Sequence, residues 1–192
     1  MSRAREEAML RFLATLEIAR RELTVLEYSH AKLFSQTMDA DRVRRLTDDM
    51  PDAETLEAFV SRFGRFQDTV GDKLLARALA MLLETPRSLI DNLSRAEQLG
   101  WIADAESWIK ARELRNRLIH EYMTDADRFA ADIRAAGGFM GMFRESYAAF
   151  LAVAEERFGV AEQMLATALS PASRPETAHP KPIQGDVGNQ RR

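Results

Sequence analysis

Leu56-Glu57-Ala58-Phe59-Val60-Ser61-Arg62-Phe63-Gly64-Arg65-Phe66-Gln67-Asp68-Thr69-Val70 is the stretch that sets the fold class. Leu56, Phe59, Phe63, Phe66 and Val70 recur at three- and four-residue spacing, which gathers them on one side of a helix. Leu74, Leu75, Ala78 and Leu82 extend the stripe. One long helix is predicted over 52–84, with Asp52 as its N-cap and with Gly64 and Gly71 weakening it locally.

The same periodicity governs the flanks. Leu10, Leu13, Leu16, Leu23 and Leu26 predict a first helix over 3–36. Asp39 to Pro51 is a polar connection with a helical turn around 42–46. Thr85-Pro86 opens a short third helix that ends near Gly100. Asp104 caps a fourth over 105–122, and Asp125 begins a fifth that runs to Leu169, interrupted or bent at Gly137-Gly138. No clean period-2 alternation occurs. The expected class is all-α: an antiparallel up-and-down bundle of four to five helices with one short crossover helix. The bundle is expected over 1–169. Residues 170–192, with Pro171, Pro175, Pro180 and Pro182 among glycines and polar residues, read as a disordered tail.

The 192 residues suit one domain. Absence of cysteine removes disulfides, thiolate metal ligands and cysteine nucleophiles. His30 and His179 do not join His120 in a metal set, so neither metal nor cofactor is expected. No apolar run approaches the roughly 18 residues that span a bilayer, and the first residues lack a signal-peptide core. The cytoplasm is the expected location. The net charge is −3, and the tail from Pro171 holds two more basic than acidic groups, so the body is distinctly acidic. Contact with a nucleic acid has to come from a local basic cluster.

Such a cluster occurs in the fourth helix, where Lys110 to Tyr122 carries four basic residues against two acidic ones. On a helical wheel Trp108, Ala111, Leu118, Ile119 and Tyr122 share one side, and Arg115 falls among them. A guanidinium there is costly unless it is paired or lies at an interface. Asn116 and His120 lie four apart on a neighbouring face, with Arg112 on the same side. His moves protons near neutral pH, Arg holds a phosphate in a fork, and Asn orients either. RNA carries its own nucleophile in the 2′-hydroxyl. Arg115 and His120 stand about 140° apart on an ideal helix, which favours a cleft completed by a second copy across a two-fold axis.

The string Arg115-Asn116-Arg117-Leu118-Ile119-His120-Glu121-Tyr122 resembles the Arg-x4-His-x-Tyr signature of HepT-like toxins in the HEPN superfamily. Phe59 to Asp68 resembles the second helix of HEPN proteins that accompany a minimal nucleotidyltransferase. The likeness extends over roughly 5–169. It implies a metal-independent endoribonuclease that dimerises through its motif helices, with Arg115 and His120 as the catalytic pair and Asn116 assisting. It also implies a nucleotidyltransferase antitoxin that attaches AMP to Tyr122 and so blocks the cleft. Lys110, Arg112 and Arg117 are the expected RNA contacts. Two rival functions remain: a non-catalytic nucleotide- or substrate-binding subunit of a nucleotidyltransferase, and a purely structural helical dimer.

Overall fold

Four-residue steps link Phe66, Val70, Leu74 and Ala78, and this spacing decides how the central helix is built. On an α-helix each step advances about 40° beyond a full turn, so the stripe would drift around the rod. A π-helical segment over Thr69–Leu74 takes up the drift by fitting more residues into a turn. Val70, Leu74 and Ala78 all remain buried.

The computed structural model describes residues 3–120 and 125–159. Among the described residues every regular element is helical. α1 (Arg3–Leu33), α2 (Ala40–Arg44) and α3 (Met50–Asp68) come first, and the π segment joins α3 to α4 (Leu75–Met81). α5 (Leu89–Gln98), α6 (Ala105–His120), α7 (Ala126–Gly138) and α8 (Met140–Phe158) follow. α1 packs on α3, α4 and α8, while α6 packs on α3, α5 and α7. Phe143 of α8 joins the two groups, its ring 5.1 Å from Phe63, 5.0 Å from Phe66 and 5.4 Å from Trp108. No helix of the described residues is long and apolar enough to cross a membrane.

The class matches the sequence expectation, and the helices are more numerous than expected. The polar connection folds into α2, and the fifth helix is divided at Phe139. α8 stops at Gly159 in the left-handed conformation (φ 61°). Residues 160–169 of the expected fifth helix and the tail 170–192 lie outside the described residues.

Two caps also differ from expectation. Asp49, not Asp52, accepts from a first-turn amide of α3, which frees Asp52 to accept two bonds from Arg42, at 2.6 and 2.5 Å. α5 is opened by Ser88, whose Oγ accepts from the Asp91 amide at 3.2 Å. Thr85-Pro86 lies ahead of it in the connection that follows Leu83, itself left-handed at φ 62°. Leu10, placed in the α1 stripe by its spacing, is 57% exposed.

Candidate active site

α6 begins where Asp104 accepts hydrogen bonds from the amides of Glu106 and Ser107, both at 3.0 Å. The Ser107 hydroxyl also donates to Asp104, and these bonds hold its carboxyl below the usual aspartate range. Trp108, Ala111, Leu114 and Leu118 are buried, whereas Ile119 is 49% exposed. The buried face thus includes Leu114 and leaves Ile119 at its margin. Arg115 lies between Trp108 and Ala111 on this face, its side chain 27% exposed.

Two glycines let α6 approach closely. A Cβ on Gly64 would lie 3.2 Å from both Cγ and Nε of Arg115. One on Gly71 would lie 3.4 Å from the Trp108 ring. The pairings Gly64–Arg115 and Gly71–Trp108 run in opposite senses along the two chains, so α3 and α6 pass each other antiparallel.

Arg115 is held from two sides. Its Nη2 donates to Asp68 Oδ2 at 2.6 Å and its Nη1 to Asn116 Oδ1 at 3.1 Å. Its Nε is buried and has no hydrogen-bond partner among the described residues. Both side chains of the ion pair are about a third exposed or less, so the pair fixes geometry more than it stabilises the fold.

The other cations of α6 serve different neighbours. Arg112 donates to both oxygens of Asp72, at 2.9 and 3.0 Å. Arg117 reaches Asp132 on α7 at 2.9 Å, and Lys110 pairs with Glu106 along its own helix at 2.7 Å. Each of the three expected RNA contacts therefore already has a carboxylate partner. Asn116 and His120 are exposed, and His120 is the last described residue of α6. Of the expected catalytic group, Arg115 and Asn116 are joined directly. Tyr122, the expected AMP acceptor, lies outside the described residues.

Between α3 and α6 runs a groove of about 520 Å³, within the usual range for small-molecule sites. Arg115 and Asp68 lie at one end, Val60, Leu118 and Ile119 form an apolar wall, and Glu57 lines the other end. Arg65 and Ser61 also face it. Asp68, Arg65 and Gly64 were not singled out by the sequence as site residues. The available signal was the seven-residue spacing of Gly64 and Gly71, together with Asp68 and Asp72 one helical turn apart.

No family model matches the chain, and no curated protein or solved structure is significantly similar to it.

Proposed function

We propose that this protein is a HepT-like toxin of the HEPN superfamily, a metal-independent endoribonuclease. The supporting observation is Arg115, presented at the rim of a groove and aligned by Asp68 and Asn116, with His120 exposed on the same helix. A guanidinium fixed in this way can neutralise charge developing on a phosphodiester without reorganising. His120 is accessible to move the proton of the 2′-hydroxyl.

In this proposal the helices form an antiparallel up-and-down bundle, and two copies meet through α6. Arg115 of one copy then works with His120 of the other, which accommodates the angle between them. A nucleotidyltransferase partner silences the cleft by attaching AMP to Tyr122, and the protein acts in the cytoplasm. The test is cleavage of a mixed RNA pool in EDTA by wild type, Arg115→Ala and His120→Ala. Cleavage by the wild type alone is expected. An inert wild type that is folded, dimeric and free of AMP by mass would overturn the nuclease assignment.

A second function has its own support. Lys110, Arg112 and Arg117 are all paired, and the open groove is of small-molecule size. Both features suit a non-catalytic subunit that binds a nucleotide for a nucleotidyltransferase.

A further inference from the structure

The α3–α6 groove has a chemical direction. α3 contributes Glu57, Val60, Ser61, Gly64, Arg65 and Asp68, a run of about 16 Å at 1.5 Å per residue. Because α6 runs the opposite way, Arg115 lies beside Gly64 and Asp68, and Leu118 and Ile119 lie further toward Val60. The end lined by Arg65, Arg115 and Asp68 carries one net positive charge, the middle is aliphatic, and the acid Glu57 lines the far end.

Arg65 distinguishes this groove from the rest of the helix pair. Among the described residues its side chain makes one long hydrogen bond, 3.5 Å to Ser61 Oγ, and no ion pair, with Glu22 near enough to feel its charge. On α6, by contrast, Lys110, Arg112, Arg115 and Arg117 are each paired with an acid. Arg65 is exposed and lines the groove across from Arg115, whose charge Asp68 matches. Arg65 and Arg115 line opposite walls of the groove, so a phosphate entering it would face both guanidinium groups, that of Arg115 shared with Asp68. Ile119, branched and half exposed, stands over the buried Val60 and Leu118 and offers an apolar surface of the kind that takes a base.

We infer that the groove is a subsite for one ribonucleotide of single-stranded RNA, with its phosphate between Arg65 and Arg115 and its base on Val60, Leu118 and Ile119. This rests on the proposal that Arg115 meets RNA phosphate, and it assigns binding to Arg65 in place of Lys110, Arg112 and Arg117.

Calorimetric titration of the full chain with AMP and with inorganic phosphate tests it. AMP is expected to bind at least about tenfold more tightly than phosphate, the gain coming from the apolar wall. Arg65→Glu should weaken both ligands about tenfold or more, by reversing a charge in direct contact. Ile119→Asp should weaken AMP alone, and Lys110→Glu should change neither. Unchanged AMP affinity in both Arg65→Glu and Ile119→Asp overturns the inference. So does absence of AMP binding with a change of oligomeric state in those variants, which would make the groove a protein interface. Cleavage assays keep the two proposals apart. AMP binding by a chain that cuts no RNA retains the subsite and ends the nuclease proposal. RNA cleavage with an unchanged KM in Arg65→Glu does the reverse.

Discussion

Asp68 and Glu22 are two acids near the same helix that act in opposite ways. Asp68 aligns Arg115 through a 2.6 Å bond in a partly exposed pair. Asp68→Ala should therefore cost only about 1 kcal/mol of stability. If the proposed nuclease function holds, its larger expected effect is on cleavage, a fall in kcat of roughly tenfold or more from a misplaced guanidinium. Unfolding curves and turnover measured on the same preparation separate the two effects, and a loss of stability without a loss of kcat would contradict the alignment role. Glu22 on α1 is half buried, with an Oε2 that has no partner among the described residues. Burial raises its carboxyl above the usual glutamate range, against the opposing pull of Thr69, Arg65 and Lys73, while Asp68 adds to the rise. The folded state thus holds this proton more tightly than the unfolded chain does, and ionisation opposes folding as pH rises past the ordinary value. Glu22→Gln should melt higher than wild type at pH 7, and the gap should close as pH falls through about 4. A gap that is the same at both pH values would count against a buried charge as its cause.

Helix α2 is short but has an ionic anchor. The Arg42 side chain is 6% exposed and donates to Asp52 on α3 and to the carbonyls of Leu33 and Gln36. Removing the acid leaves a buried guanidinium without its counter-charge, so Asp52→Ala should cost about 3 kcal/mol in denaturant unfolding. Arg42 also holds the Asp52 carboxyl below the usual aspartate range. That stabilisation is complete above the unfolded-state value and is lost as pH falls through the lowered one. Asp52→Asn should therefore show a shallower acid-side decline in melting temperature than wild type. At this scale much was legible in the sequence. The Asp104 cap, the Phe59–Phe63–Phe66 stripe and the start of α6 follow from local pattern. Three features did not. Asp49 and Asp52 are both plausible caps three residues apart, and only the tertiary partner Arg42 chooses between them. The π segment is invisible to a 3.6-residue template. Arg115 meets Asp68 across 47 residues of chain, a pairing that no helical wheel of α6 contains.

A cleft shared by two whole molecules makes a quantitative demand. If Arg115 and His120 act across copies, mixing Arg115→Ala with His120→Ala and allowing exchange gives half the dimers one intact site. Activity should return to about a quarter of wild type, as two-fold symmetry requires. No recovery would place both residues in one protomer's site. The same α6 ties the molecule together through Asp72, Asp68 and Asp132. Substitutions along it should be judged by stability and activity together. The π-helical turn sets how α3 is oriented relative to α4. Such a turn is equivalent to one surplus residue in an otherwise α-helical rod. Deleting a residue from 69–74 would restore α-helical bonding and rotate α3 by about 100° relative to α4. Leu75–Met81 could keep its seat while Asp68 swung away from Arg115. A groove that depends on one extra residue is a groove that a single-codon deletion removes.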